Sequence, residues 1–297
     1  MAARASTRPI PPYTARGWRK GESKWSEPVA IAHDPLRSTG NGVVWQAPDG
    51  IVWLFYVVRF GDTWSESRIQ VKLSKDRGET WSDASMLDLR RGMMVRNKPI
   101  ALLDGDYLLP IYHETGENTE VVGPLSASLF LRYDHRAKKW ISTEEIHSRI
   151  GNIQPAPVQI DAKRLVAYCR RGGDYGPRKD GWLVRSESND GGRTWSPGVE
   201  SKFPNPNSAV EFLKLTSGAL LLIYNDSMHQ RTPLRAAISE DADKTYPFQR
   251  NIAEGRNDYA YPSAAQSADG LIHLVYTSDG RKVIHHTTFD EAWVRGK

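Results

Sequence analysis

The chain has 297 residues, 39% hydrophobic and 25% charged, so it is large enough to bury a core without covalent staples. Its one cysteine, Cys169, excludes an intramolecular disulfide, and no apolar run is long enough to span a membrane. The formal charge is +5, but the basic residues are scattered, and no zinc-finger, RNA-binding or helix-turn-helix pattern points to nucleic acid.

In chain order, residues 1–24 form a polar, Pro-rich leader, and Arg4, Arg8, Arg16, Arg19 and Lys20 make it a basic, solvated arm. It has no hydrophobic signal core, so the chain as written is expected to be cytoplasmic. From Trp25 onward short apolar runs alternate with turn signals. The runs are Val52–Val58, Tyr107–Tyr112, Arg164–Tyr168, Ala219–Tyr224 and Leu271–Tyr276. Asp49-Gly50, Asp104-Gly105, Asp161-Ala162, Ser217-Gly218 and Asp269-Gly270 stand just before them. Short strands at regular spacing predict an all-β protein, and no long segment has helical periodicity. Cys169 lies just past one of these runs and reads as a small buried hydrophobe.

A second signal sits between the runs. Ser74-Lys-Asp76-Arg-Gly78-Glu-Thr80-Trp81 and Ser188-Asn-Asp190-Gly-Gly192-Arg-Thr194-Trp195 are two copies of one octapeptide. Ser239-Glu-Asp241-Ala-Asp243-Lys-Thr245-Tyr246 is an eroded third, with Asp243 in place of the glycine and Tyr246 in place of the tryptophan. Fainter echoes lie at Trp25-Ser26-Glu27-Pro28 and at Tyr133-Asp134 with Trp140. The aspartate suits a tight hairpin by accepting backbone N–H groups, the glycine by taking positive φ, and the indole by covering the turn. The whole pattern recurs about every 50 to 60 residues, the period of propeller blades. Blades start near Gly40, Arg96, Gly151, Pro204 and Tyr259, and the Trp25 segment reads as the end of an earlier one. The expectation is a six-bladed β-propeller over residues 25–297 whose first blade is incomplete.

These residues resemble the sialidase (neuraminidase) superfamily, in its BNR/Asp-box branch, over roughly residues 25 to 290. The segments Arg96-Asn97-Lys98-Pro99, Gly151-Asn152-Ile153-Gln154-Pro155, Asn205-Pro206-Asn207-Ser208, Arg231-Thr232-Pro233-Leu234 and Tyr261-Pro262-Ser263 are similar to those of sialidase-like proteins of bacteria and plants. The resemblance implies arginines that hold a sugar carboxylate, a Tyr nucleophile activated by a Glu, and an Asp acid. Guanidinium forks match a carboxylate bidentately, and a phenol needs a base to become nucleophilic. By position, Arg170 and Arg231 correspond to two of the carboxylate-binding arginines and Tyr261 to the nucleophile. Counting back from Arg170, the position of the activating Glu holds Gln154, which cannot take a proton. The remaining arginine and the Asp acid belong to the incomplete first blade.

Other residues are candidates for chemistry. His113, beside Glu114 at the end of a strand, is a natural acid/base near neutral pH. Glu211 could supply the carboxylate that Gln154 lacks, unless strand alternation turns it into its blade. Arg96, Asn97, Lys98, Asn152, Gln154, Asn207 and Asn225 are candidate sugar or carboxylate ligands, although such asparagines are equally turn residues. His285 and His286 are adjacent on a strand, point to opposite faces and cannot easily share an ion. No metal and no organic cofactor are expected. The expected partner is an acidic glycan, with no nucleic acid or membrane partner, and homo-oligomer formation is left open. Three functions follow: an exo-glycosidase on a terminal acidic, sialic-acid-like sugar, a non-catalytic glycan-binding propeller, and a His/Tyr hydrolase or lyase on uronate-containing glycans.

Overall fold

The computed structural model describes residues 12–17, 24–117, 121–176 and 179–296. Arg4, Arg8, Arg19 and Lys20 of the basic arm lie outside them, and Arg16 is exposed. The chain divides into two units, Met1–Arg96 and Asn97–Lys297.

In the first unit β1 (Tyr13–Ala15) pairs antiparallel with β2 (Val29–Ala32). A four-stranded meander follows: β3 (Thr39–Gln46), β4 (Val52–Arg59), β5 (Ser67–Ser74) and β6 (Ser85–Asp88), in that order. The short β7 (Met93–Val95) ends the unit. Ile31 and Ala32 bury against Leu54, Tyr56 and Val58 of β4. The Tyr13 hydroxyl accepts the Gly42 N–H at 2.9 Å, and a Cβ at Gly42 would lie 2.3 Å from the phenol ring. Only glycine permits that approach.

The second unit repeats the meander. Its first sheet is β8 (Ile100–Ala101), β9 (Tyr107–His113), β10 (Ala127–Asp134) and β11 (Lys139–Ser142). Next come β12 (Asn152–Gln159), β13 (Leu165–Arg171), β14 (Trp182–Ser188) and β15 (Val199–Pro204). The third sheet is β16 (Glu211–Lys214), β17 (Leu220–Asn225), β18 (Leu234–Ser239) and β19 (Phe248–Ala253). The last has three strands, β20 (Ala260–Gln266), β21 (Ile272–Ser278) and β22 (Val283–Phe289), followed by the short helix α1 (Glu291–Val294).

The blade-like sheets among the described residues number five, one in the first unit and four in the second, which corrects the expectation of six. Before Thr39 the described residues form only the two short strands β1 and β2, too little for a blade. Trp25 is exposed and ends no blade.

Four of the five apolar runs lack polar alternation because their strands, β4, β9, β13 and β17, are buried on both faces, whereas β21 alternates in burial. In β17, Leu220, Leu222 and Tyr224 pack toward Val166, Tyr168 and Phe203 of the preceding sheet. Leu221 and Ile223, on the other face, join Ala264, Ile272 and Leu274 of the following sheet. Strand β13 divides in the same way, with Val166 and Tyr168 in the first cluster and Leu165 and Ala167 against Leu108 and Phe130. Period-two geometry thus makes each central strand part of two cores. Each leucine withdrawn from water contributes about 1.5–3 kcal/mol.

The repeated octapeptides close the hairpins between third and fourth strands. Asp76 accepts the Thr80 N–H at 2.9 Å and its hydroxyl at 2.5 Å, and Gly78 takes a φ of +93°. Asp190 accepts the Thr194 N–H at 3.0 Å and its hydroxyl at 2.6 Å, with Gly192 at +85°. The Thr80 bonds hold the Asp76 carboxyl down at about 2. In the third copy Asp243 takes the glycine's place at a φ of +78°. Its buried carboxylate accepts Tyr246 Oη at 2.7 Å, Tyr168 Oη at 2.8 Å and Arg185 Nε at 2.8 Å. The two departures from the motif are therefore coupled: a tyrosine in place of tryptophan supplies a hydroxyl to the aspartate in place of glycine.

Candidate functional site

The antiparallel order places the start of a first strand beside the end of the second, as in the pairing of Ile153 with Arg170. The pairing register breaks between Ile153 and Ala156 in β12 and between Ala260 and Ser263 in β20. Gln154 and Tyr261 lie in these breaks with φ of +57° and +55°, and Asn207, just before β16, has +57°. Left-handed backbone at non-glycine residues costs roughly 1–3 kcal/mol each and persists where the surroundings enforce it. A bulge also re-aims a side chain out of strand alternation. Asn97 holds the first break, its amide donating to the carbonyls of Gln154 at 3.0 Å and Pro155 at 2.8 Å.

These residues converge on Arg170, which is buried at the end of β13. Its Nε donates to Asn207 Oδ1 at 2.6 Å, its Nη1 to Gln154 Oε1 at 3.4 Å and its Nη2 to Tyr175 Oη at 3.2 Å. Arg231, in the loop between β17 and β18, donates to the Asn207 carbonyl at 3.1 Å. Its guanidinium lies 5.3 Å from the Tyr175 ring centre and 5.5 Å from that of Tyr261. Neither arginine has a carboxylate partner among the described residues. Burial alone would raise the Tyr261 phenol, but Arg170 and Arg231 favour its anion and bring it down to about 8. The arrangement can hold an anion between two guanidinium groups beside an acidified phenol.

The other candidates separate. Glu211 is buried, and its Oε2 accepts Lys98 Nζ at 3.0 Å and the Ala264 N–H at 3.2 Å. Lys98 also donates to Ser263 Oγ at 3.1 Å, so this ion pair braces the start of β20. Asn152 is buried; its amide donates to Ile146 O and Ser148 Oγ and its Oδ1 accepts the Ser128 N–H, which is a backbone-bracing role. Asn225 donates to Tyr259 O at 3.0 Å and ties β17 to the approach of β20. His113 Nδ1 lies 2.8 Å from Glu145 Oε1, with no hydrogen bond or ring contact to Arg170, Arg231 or Tyr261. Arg96 is the half-buried last residue of the first unit.

Three members of the cluster were not assigned a role from the sequence. Tyr175 touches both arginines from a loop without any motif. Tyr112, fully buried at the end of β9, meets Gln154 Nε2 at 3.5 Å. Glu114 follows β9 and is buried, which raises its carboxyl to about 7 despite the opposing attraction of Arg170. The pair His113-Glu114 was the available signal, with the glutamate the buried member. Among the described residues no three His, Cys, Asp or Glu side chains are grouped to hold a metal ion. His286 stacks on His273, whereas His285 stacks on Tyr276, so strand alternation separates them.

A family profile described as BNR repeat-like domain matches residues 13–274, most of the chain. The chain belongs to the BNR repeat-like domain family. No curated protein matches its sequence. Among solved structures this BNR repeat-like chain is similar to a Hadza microbial sialidase, with a TM-score of 0.74 at 14% identity over 91% of the chain. It spans 57% of that sialidase's length. A Dyadobacter fermentans protein of unknown function gives 0.74 at 15% identity, covering 96% of this chain and 85% of the other. The intramolecular trans-sialidase of Ruminococcus gnavus, solved with oseltamivir carboxylate, gives 0.71 at 13% identity, covering 94% and 88%. At such identities the likeness establishes the all-β propeller fold of the sialidase type.

Proposed function

We propose that this BNR repeat-like protein is a sialidase-like exo-glycosidase acting on a terminal acidic sugar. The observation that carries the reading is the pair Arg170 and Arg231, which flank Tyr261 without any carboxylate partner among the described residues. Buried cations are ordinarily paired, so Arg170, buried without a carboxylate bond beside the half-buried Arg231, calls for an anionic ligand. A planar sugar carboxylate fits their forks. Held there, the sugar presents its anomeric carbon to Tyr261 Oη. Attack gives a covalent glycosyl–tyrosine that water then hydrolyses with net retention. Tyr175, 42% exposed against both arginines, is placed to cover the bound sugar.

Hydrolysis of a fluorogenic sialoside by the purified protein tests this. Tyr261→Phe is expected to lower turnover at least about a hundredfold while leaving acidic-sugar binding intact. Arg170→Ala is expected to abolish binding in calorimetry. A second reading, a non-catalytic acidic-glycan receptor, draws support from Gln154, whose amide cannot take the tyrosine proton. Binding lost in Arg170→Ala, with no turnover by the wild type, would favour that receptor.

A further inference from the structure

Arg170 donates to three neutral side-chain acceptors, Asn207 Oδ1, Gln154 Oε1 and Tyr175 Oη. Asn207 and Gln154 are 0% and 5% exposed, whereas Tyr175 is 42% exposed. Of the three, only Tyr175 faces solvent, so its oxygen stands where an incoming ligand meets Arg170. Its ring centre lies 5.8 Å from the Arg170 guanidinium and 5.3 Å from that of Arg231, so one side chain occupies the approach to both.

The backbone is fixed up to the residue before this tyrosine. Gly173 exchanges two backbone hydrogen bonds with Val122, at 2.9 and 3.2 Å. Asn207 Nδ2 donates to the carbonyls of Gly173 at 2.8 Å and Asp174 at 3.2 Å. Arg171 Nη1 donates to those of Gly172 at 2.8 Å and Asp174 at 3.1 Å. Asn207 thus positions both the arginine and the chain that carries the tyrosine. With Asp174 held, the exposed Tyr175 side chain can leave Arg170 by rotation about its own bonds while the backbone stays in place.

We infer that Tyr175 is the resident occupant of the arginine pair: its hydroxyl holds Arg170 Nη2 until a ligand carboxylate displaces it, and that exchange sets the affinity of the site. The inference rests on Arg170 and Arg231 being the carboxylate site. Without ligand, the phenol oxygen gives a buried guanidinium an acceptor it would otherwise lack. A carboxylate bonds a guanidinium roughly twice as strongly as a neutral oxygen does, so it wins the exchange. A neutral sugar hydroxyl would only replace one neutral acceptor by another, so an anion is the ligand that gains. The ring, turned outward from its fixed backbone, then covers the bound sugar. Because ligand binds only the fraction of molecules with Nη2 open, the hydroxyl lowers the apparent affinity by the worth of its bond, about 3- to 10-fold.

Tyr175→Phe removes the hydroxyl and keeps the ring. In calorimetry with free sialic acid it is expected to bind about 3- to 10-fold tighter than the wild type. A residue that only shaped the loop or touched the sugar would leave affinity unchanged or weaken it. A fluorotyrosine placed at position 175 reports the exchange directly: its fluorine NMR signal is expected to move on saturation with sialic acid and to stay in place with galactose. Unchanged or weaker binding by Tyr175→Phe, with binding abolished in Arg170→Ala, overturns the inference and leaves the carboxylate site standing. A fluorine signal unmoved by sialic acid, or moved equally by galactose, overturns it in the same way. Binding by neither wild type nor Tyr175→Phe, or binding unaltered in Arg170→Ala, overturns the carboxylate site and the inference with it.

Discussion

The two ends of the β12–β15 sheet are built on opposite rules. At one end the hairpin Asp190–Trp195 satisfies itself: Asp190 collects the N–H groups of Arg193 and Thr194 and the Thr194 hydroxyl, and Trp195 Nε1 donates to the Gly192 carbonyl. At the other end Gln154 sits at positive φ, Arg170 is buried without a carboxylate, and the groups that complete the cluster come from β9, the β17–β18 loop and β20. The first end is local, polar groups paired within six residues, so it can repeat. The second stores strain and unpaired charge, and it depends on neighbouring strands far away in the chain. Stability gathers at the satisfied end and ligand affinity at the unsatisfied one.

Variants at the two ends separate these properties, taken here in order of their effect on stability. Asp243→Ala leaves Arg185, Tyr168 and Tyr246 without their buried acceptor and is expected to cost about 3–5 kcal/mol in urea denaturation. The double substitution Asp243→Gly with Tyr246→Trp, which rebuilds the intact motif, is expected to recover part of that loss. Acidic-sugar affinity should be unchanged in whatever remains folded.

The next effect lies at the other end and has the opposite sign. Glu114 is raised from 4.5 to about 7 in the folded protein, so the folded state holds its proton more tightly than the unfolded chain. The stability this provides is complete below about pH 4.5 and is lost as pH rises through about 7. Glu114→Gln does not titrate. Relative to wild type it should therefore gain about 3 kcal/mol between about pH 4 and about pH 8. Paired denaturation curves at the two pH values measure it, and parallel behaviour would remove Glu114 from the unsatisfied end.

Asp190→Ala breaks a half-exposed hairpin and is expected to cost about 1–2 kcal/mol, with sugar affinity unaltered. Arg231→Ala is expected to change stability by less than about 1 kcal/mol, yet to weaken acidic-sugar binding about 10- to 100-fold in calorimetry. Equal effects of these two variants on both measurements would erase the distinction between the ends.

Much of the architecture could be read without coordinates, for a local reason. Strands buried on both faces must be apolar at every position, so Leu220–Tyr224 and Leu165–Tyr168 are visible as runs. A hairpin that pairs its own polar groups needs a set octapeptide, so three of these turns announce themselves. The number of blades was harder to read, because a short edge strand such as β1 or β2 carries no such pattern.

By itself, then, the sequence determined the repeat, the all-β class and the residues Arg170, Arg231 and Tyr261 as a candidate set. Only the tertiary structure decided which polar residues join them. Glu211, Asn152 and Asn225 are consumed in bracing, whereas Tyr175 enters the cluster from a loop without a motif. Whether a carboxylate is paired, and how far it is withdrawn from water, depends on strands more than fifty residues apart. That information is absent from any local pattern.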